Sequence, residues 1–370
     1  MDWTLLLEWA IKSLVLIFTL LIGFGYLTYY ERRFLAFLQS RLGPNRAGPQ
    51  GLMQWMADAV KLIFKEELTP ASAYKLVFLL APALTMVPSI VIAAVIPWGP
   101  PIELFGRVIR QSVADINVGV LFLMSIASIA VYGIVLAGWS SNNKYAMMGG
   151  LRSSAQMISY ELTLGLSFVV VILMANSMSL VEIVEAQRGT LGWFFFTQPV
   201  GAVVLWIATV AEVNRHPFDM PEAEQEIVAG YHTEYSGMKF ALFFMAEYQK
   251  MIIVSAILVT LFFGGYLGPG VDQFPWLGPI YMLLKIALFL GIMIWVRASW
   301  PRIRYHRLMD FGWKVMLPLA LSLVFITAVG ILLAEAVNPL FIWAVPVFSL
   351  FAGWFASSMV DRSLRRKAYA

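Results

Sequence analysis

Long apolar runs alternate with short polar segments along almost the whole chain. Nine of these runs approach the length of about 17–25 residues that a helix needs to cross a bilayer. A lipid interior offers no water to backbone amides and carbonyls, so each run must satisfy its own hydrogen bonds as a helix. We therefore predict an all-α, polytopic integral membrane protein that forms one membrane domain over residues 1–370. The predicted spans lie near 10–30, 75–97, 115–139, 156–176, 195–211, 238–263, 280–297, 315–334 and 340–360.

Composition supports this class. Hydrophobic residues make up 60% of the chain, charged residues only 13%, and the mean hydropathy is +0.77. These values exclude an ordinary soluble domain. The fifth span is the weakest of the nine, because Pro199 and the acidic residues after 211 leave it a short apolar core.

The distribution of lysine and arginine predicts how the spans are oriented. Twenty of the 26 basic residues fall in loops on one side of the membrane, and four fall on the other side. Basic loops stay in the cytoplasm, so the N-terminus should lie outside and the C-terminus in the cytoplasm of a cell that carries this protein in its membrane. The same bias accounts for the net charge of +4, so no nucleic-acid partner is needed to explain that charge.

A polar segment after the first span has the pattern of an amphipathic helix. Residues 51–65 place Gln54, Asp58, Lys61 and Lys65 at helical spacing among apolar residues. Such a helix is too charged to cross the bilayer and should lie in the membrane interface. It could simply brace two spans, or it could floor a cavity that opens sideways to lipid and admits an amphiphile such as a quinone.

The least typical segment is the loop over residues 212–237, which falls on the cytoplasmic side. Asp219 and Glu222 fit a capping box with Pro221 in the first turn, which explains two of its acids. Carboxylates crowded together repel one another and share protons, so the loop could also hold and relay protons. The loop holds six of the chain's 22 acidic residues: Glu212, Asp219, Glu222, Glu224, Glu226 and Glu234.

Four ionisable residues fall inside predicted spans: Glu161, Glu247, Lys250 and Lys285. A charge at mid-bilayer costs about 2.5–3.5 kcal/mol, so such residues usually face the protein interior and mark ion or proton paths. Glu247 and Lys250 share a helix face and could instead form a neutralising pair that holds helices together. Lys285 is near the end of its span and is expected to snorkel toward the interface. Glu161 has no basic residue within a helical turn, which favours a functional role.

The chain lacks the residues that hold most redox centres. It has no cysteine and three histidines, which excludes iron–sulfur ligation within this chain and predicts neither a metal site nor a catalytic residue of its own. Electrons in any redox reaction must therefore be carried by another subunit.

Four segments together resemble one family, the H subunit of NADH:quinone oxidoreductase (respiratory complex I). They occur in the family's order and cover most of the chain from about residue 30 to 320. The acidic loop is the most specific of them. The segments are ERRFLAFLQSRLGPNRAGPQGLMQWMADAVKLIFKE, AGWSSNNKYAMMGGLRSSAQMISYELTL, AEVNRHPFDMPEAEQEIVAGYHTEYSGMKFALFFMAEY and WVRASWPRIRYHRLMDFGWKVMLPLAL.

The resemblance implies a place where the peripheral redox arm meets the membrane arm. The protein would form much of a chamber for quinone as the substrate. Flavin and iron–sulfur clusters would belong to partner subunits, namely the peripheral-arm quinone-site subunits, with further membrane subunits alongside. The implied chamber residues are Glu31, Arg32, Arg33, Arg41, Asp58, Arg215, Phe218 and Asp219.

The resemblance also implies that acids of this chain begin a proton path coupled to quinone reduction. Lys250 joins our predicted path because of its position beside Glu247. The third span has no acid in SIASIAVYG, where some relatives carry one, and no role is assigned to the ninth span. The acids implied for the path are Glu161, Glu212, Glu222, Glu224, Glu226, Glu234 and Glu247.

Two alternatives stay open at this point. The chain could be the equivalent subunit of a membrane-bound hydrogenase or of a ferredoxin-driven complex. It could also be a free-standing cation/proton antiporter, although the spans do not show the paired interrupted helices of that design.

Overall fold

The computed structural model describes residues 3–104, 107–188, 192–219 and 229–368, and nearly all of its regular structure is helical. Short 3₁₀ turns cover Pro49–Gly51, Gly230–His232 and Pro339–Trp343, and strands β1 (Ile102–Leu104) and β2 (Arg107–Ile109) pair antiparallel. The helices are α1 (Trp3–Leu38), α2 (Gln54–Ile63), α3 (Lys75–Ala93), α4 (Gly119–Ser140), α5 (Lys144–Ala175), α6 (Leu180–Ala186), α7 (Phe194–Thr197), α8 (Pro199–Glu212), α9 (Gly237–Phe262), α10 (Leu277–Ser299), α11 (Tyr305–Ala336) and α12 (Ala344–Ala368).

The prediction of an all-α, polytopic membrane protein is confirmed, but the count of nine spans is not. Within the described ranges, eight helices are long and apolar enough to cross a membrane: α1, α3, α4, α5, α9, α10, α11 and α12. The predicted fifth span, 195–211, corresponds to α8, which has 14 residues. At 1.5 Å per residue such a helix is about 21 Å long, less than the ~30 Å of a hydrocarbon core.

Several helices continue beyond the apolar runs that predict them. The first predicted span is 10–30, yet α1 continues through Glu31 to Leu38. The fourth predicted span is 156–176, yet α5 begins at Lys144. In both helices the polar side chains beyond the apolar run bond to other parts of the protein, so the helix continues where hydropathy alone would end it.

Helices α3, α4, α5, α8 and α9 form the centre of the molecule. The central membrane segment of α9 is 67% buried, whereas that of the last span is 11% buried. Backbones approach closely where glycine permits it: a Cβ added to Gly133 of α4 would lie 2.2 Å from Thr85 Oγ1 of α3. Helix α9 is therefore surrounded by protein, and α12 lies at the periphery.

The amphipathic helix α2 lies against the end of α1. The Trp55 ring lies 5.8 Å from the Tyr26 ring and against Gly25, where a Cβ would meet Trp55 atoms at 3.0 Å. No residue of α2 is buried, and apolar side chains including Met56 and Val60 are exposed. An exposed apolar face is what a helix in the membrane interface presents to lipid.

Lys285 corrects the expectation that its side chain snorkels to the interface. Its ammonium donates to the carbonyls of Phe263, Gly265 and Leu267 at 2.7, 2.9 and 2.7 Å and lies 4.6 Å from the Trp193 ring. These carbonyls belong to the turn that follows α9. Because an ammonium has three donors, Lys285 binds this turn inside the protein instead of reaching for water.

Candidate functional site

A buried chain of charged side chains is centred on Arg215, just after α8. Arg215 is 6% exposed. Its Nε lies 2.8 Å from Glu247 Oε1 of α9, and its Nη2 lies 3.4 Å from Glu31 Oε2 of α1. The guanidinium also lies over the Tyr248 ring, 4.3 Å from its centroid. One arginine thus joins two helices to the acidic loop through two carboxylates and an aromatic face.

Glu31 is the second junction of this chain. Its side chain is almost fully buried and binds two arginines, Arg215 through Oε2 and Arg297 of α10 through Oε1. A buried carboxylate needs such partners because an uncompensated charge is costly inside a protein. The order Arg297–Glu31–Arg215–Glu247 therefore runs unbroken from α10 through α1 to α9.

The first part of the acidic loop is held against α5 and the segment after α10. Gln156 Nε2 donates to the carbonyls of Ala211 and Phe218, both at 2.8 Å. Phe218 is buried, and Arg302 Nη2 lies 3.2 Å from Asp219 Oδ2. The loop is therefore fixed by an amide on one side and by an arginine on the other.

His216 lies inside this frame, between Arg215 and the cis-linked Pro217. Burial, and then the nearby Arg302 guanidinium, lower the pKa of His216 below its usual range, while Asp219 acts in the opposite direction. Its Nδ1 is buried and has no hydrogen-bond partner among the described residues. His216 is therefore a neutral imidazole at neutral pH.

Two small cavities meet at Lys250 of α9. One, of about 20 Å³, is lined by Glu247, Asn214 and Lys250 among others. The second, of about 30 Å³, is lined by Lys250, Glu212 and Ser89 together with apolar residues. About 10–15 Å³ is enough space for one water molecule. Both cavities can hold water, and neither has room for a quinone ring.

Buried polar atoms beside these cavities are suited to bind such water. Asn214 lines the smaller cavity, and its Oδ1 has no hydrogen-bond partner within the described ranges. Gln249 accepts from Ser89 Oγ at 2.9 Å, whereas its Nε2 has no partner in the same part of the chain. Buried polar groups normally bond to protein or to ordered water.

Glu161 lies on α5, beyond the larger cavity. Its carboxylate accepts a very close hydrogen bond from Ser128 of α4. Leu164, one turn along α5, lines that cavity. Glu161 and Lys250 both act electrostatically on Glu212. The predicted members Glu212, Glu247, Lys250 and Glu161 therefore follow one another across α8, α9 and α5.

A separate contact lies where α2 meets α1. Arg32 Nη1 lies 2.6 Å from Asp58 Oδ2, and Gln54 Nε2 lies 3.3 Å from Asp58 Oδ1. Two residues of the implied chamber set thus bind each other at the end of the exposed helix α2. Arg32 is one position from Glu31, so this contact adjoins the buried chain.

The remaining residues of the sequence-based set lie apart from one another. Arg33 approaches the carbonyls of Pro44 and Gln50 at 3.4 Å, and Arg41 binds only the neighbouring Gln39 side chain in the described structure. Glu234 accepts from Asn143 Nδ2 at 2.6 Å.

Three predicted acids cannot be placed. Glu222, Glu224 and Glu226 lie outside the described residues, as does the start of the capped helix expected after Asp219.

Glu247 and Lys250 share a helix face as predicted, yet Glu247 forms its close ion pair with Arg215. A simple neutralising pair within α9 therefore does not account for these two residues.

Sequence reasoning missed three members of the site: Arg297, Arg302 and Tyr248. A usable signal was present, because one arginine in the acidic loop cannot balance Glu31, Glu247 and Asp219 once all three are buried. The next cations along the chain toward this side are in WVRASWPRIR. Across the described ranges, no three His, Asp or Glu side chains are grouped as metal ligands.

Comparison with known proteins places the chain in a family. The family model for NADH dehydrogenase matches residues 11–328. The H subunit of NADH-quinone oxidoreductase from Protochlamydia amoebophila is 51% identical over 82% of this chain and 91% of its own length. The second of the H subunits from Geobacter sulfurreducens is 49% identical over 85% and 94%, and NADH-quinone oxidoreductase subunit 8 of Rhodothermus marinus is 46% identical over 88% and 97%. The chain therefore belongs to the NADH dehydrogenase family that includes the H subunit of NADH-quinone oxidoreductase.

Proposed function

We propose that this chain is the membrane subunit of a proton-pumping NADH:quinone oxidoreductase that frames the quinone chamber and begins the proton-coupling path. The observation that carries this proposal is the unbroken chain Arg297–Glu31–Arg215–Glu247 and its continuation to water-sized cavities at Lys250. It connects a side open to the interface helix α2 with a side leading into the membrane interior.

The quinone would approach along α2. The exposed apolar face of this helix offers a surface on which a long apolar tail can lie, and the Arg32–Asp58 pair marks its junction with α1. The cavities at Lys250 are too small for a quinone ring, so the head group belongs on the other side of Arg215. Partner subunits would close that chamber and supply the flavin and iron–sulfur clusters, since this chain has no cysteine.

Coupling would be electrostatic. Reduction of quinone changes the charge and proton demand near Glu31 and Arg215, both of which are buried. In a low-dielectric environment a charge change is felt strongly over several ångströms, so the proton affinity of Glu247 must respond. Glu247 and Lys250 line one cavity, and Lys250 and Glu212 line the next. A proton can therefore pass through water from Glu247 toward Glu212 and Glu161.

The same distribution of basic residues supports our proposed orientation, with the N-terminus outside and the C-terminus in the cytoplasm of the cell membrane. The acidic loop and α2 then face the side on which NADH is present. Protease access to tags at the two termini in intact and inverted vesicles tests this orientation.

Purification under mild conditions tests the assignment. The chain, tagged at its C-terminus, should be recovered from native membranes with flavin- and iron–sulfur-containing subunits and with inhibitor-sensitive quinone reduction. Recovery with a nickel–iron subunit would assign it to a hydrogenase complex instead. Recovery as a single protein that exchanges cations for protons in liposomes would exclude the proposal.

A further inference from the structure

A large groove opens where α5 and α11 end, far from the buried charged chain. Its volume is about 770 Å³, within the range of about 300–1,000 Å³ typical of small-molecule sites. The 3₁₀ turn Pro339–Trp343 forms one wall. The groove lies at the helix ends opposite the basic loops, because α5 and α11 both start on the basic side.

The floor of this groove is apolar and its rim carries an aromatic ring. Leu173, Ile331, Leu332 and Leu340 line it, and Trp343 lies at its edge. Tryptophan is enriched at the level of lipid head groups, where one edge of the ring is wet and the other is apolar. An acyl chain fits the floor, and a head group would lie beside Trp343.

The rim is electrically negative. Glu335 lies in the last turn of α11 and lines the groove together with Asn176, the left-handed residue that ends α5. Both helices therefore direct their C-terminal, negative dipole ends toward the same rim. No lysine or arginine lines the groove in the described structure.

Donors that might offset this charge are already in use. The amide of Leu340 bonds to Asn338 Oδ1 at 2.9 Å, and the amide of Phe341 bonds to the Asn338 carbonyl at 3.0 Å. The amide of Ala344, where α12 begins, bonds to the turn before it. The rim therefore presents acceptors and a carboxylate, and it favours a cation that can donate hydrogen bonds.

We propose that this groove binds a phospholipid with a primary ammonium head group, that is, phosphatidylethanolamine. Its ammonium would donate to Glu335 and to the Asn176 side-chain oxygen, and one acyl chain would lie along Leu173 and Ile331. A primary ammonium has three N–H donors, whereas a choline head group has none. An anionic head group would be repelled by Glu335 and by the two helix ends.

Photo-crosslinking of the intact complex in nanodiscs tests this site. Photoactivatable phosphatidylethanolamine and phosphatidylglycerol are incorporated in parallel, and labelled peptides are identified by mass spectrometry. The ethanolamine lipid should label 173–176 and 328–343 in preference to the glycerol lipid. Glu335→Gln should lower that labelling by about five-fold, the most that a single exposed ion pair usually supports. Glu103→Gln, which removes an exposed carboxylate on the β1–β2 hairpin, should leave it unchanged.

The comparison between the two lipids uses the unaltered protein, so it stands even if a variant fails to assemble. Equal labelling by both lipids, or unchanged labelling of an assembled Glu335→Gln variant, would overturn the proposal. Absence of lipid labelling together with cross-links from Glu335 to another subunit would show that a protein covers the groove, and this too would overturn it.

Discussion

Arg215 is the residue on which the buried charges depend. It contacts Glu31 and Glu247 and lies over Tyr248, so it compensates two carboxylates that are otherwise far from water. Its planar guanidinium can bind both carboxylates at once, which a lysine ammonium on a flexible stem does less well. The type of residue matters here as much as its charge.

Replacing Arg215 with methionine should therefore be severe. Removal of one partner from a buried ion pair costs about 3–5 kcal/mol, so Arg215→Met should lower the unfolding temperature of the complex and abolish quinone reduction. Arg215→Lys should fall between this variant and the wild type. Lys12→Met, which breaks only an ion pair with Glu8 one turn away, provides the control. Wild-type stability of Arg215→Met would contradict the role given to this chain of charges.

His216 provides a pH dependence of known sign. Because burial and Arg302 lower the pKa of His216, the folded protein binds this proton less readily than the unfolded chain, where the pKa is about 6.5. Its contribution to stability is complete above about pH 6.5 and decreases as the pH falls below that value. His216→Gln should therefore lose less stability than the wild type when the unfolding temperature is compared at about pH 7.5 and about pH 5.5. Parallel losses in the two proteins would refute this assignment.

Lys285 should matter for one turn rather than for chemistry. Lys285→Met leaves three carbonyls without their donor, and each buried group that loses its partner costs about 1–3 kcal/mol. We expect a lower unfolding temperature and faster proteolysis of residues 263–276. Lys314→Met, which breaks an exposed pair with Asp310, is a suitable control. If the turn stays equally protected in both variants, the three hydrogen bonds do not hold it.

At the scale of elements, α5 organises the acidic loop. Gln156 holds the first part of the loop, and Gly149 packs against the second part, where a Cβ would lie 2.5 Å from Gly230 Cα. Tyr235 then stacks on Phe78 of α3, and burial raises its pKa to about 12, so its hydroxyl remains protonated and donates to the Phe78 carbonyl. The loop is fixed at both ends by neighbouring helices.

Gly149→Val should separate the loop from α5. The new side chain meets backbone atoms of Gly230 rather than a flexible side chain, so the loop itself must move. Quinone reduction should fall at least about ten-fold, the effect of about 1.4 kcal/mol on the barrier, while assembly persists. Gly353→Val on peripheral α12 meets only Val200 side-chain atoms and should be mild. Equal activity of the two variants would show that close packing at Gly149 is not required.

Hydropathy predicted the elements better than their ends. The apolar runs identify the helices, but Glu31 lies inside α1 because two distant arginines compensate it, and no local pattern contains that information. The site was predictable in part for the same reason. The acids were evident as unusual residues in an apolar chain, whereas Arg297 and Arg302 acquire their role only when the fold brings α10 to α1.

At the scale of the whole molecule, the charged chain lies at one end and continues inward along the most enclosed helix, α9. The water-sized cavities at Lys250 continue that path between α8, α9 and α5. Helix α12, which is largely exposed, takes no part in it. The architecture therefore separates a path through the protein centre from surfaces available to lipid and partner subunits.

The most direct measurement follows electrons and protons together in the purified complex reconstituted into liposomes. We expect Glu212→Gln and Lys250→Met to lower NADH-driven quinone reduction and proton translocation, while electron transfer to an artificial acceptor at the peripheral arm stays normal. Glu8→Gln, at an exposed pair near the N-terminus, should retain wild-type rates. If the complexes with Glu212→Gln and Lys250→Met reduce quinone and pump protons as the wild type does, the path from Arg215 through Lys250 does not couple the two processes.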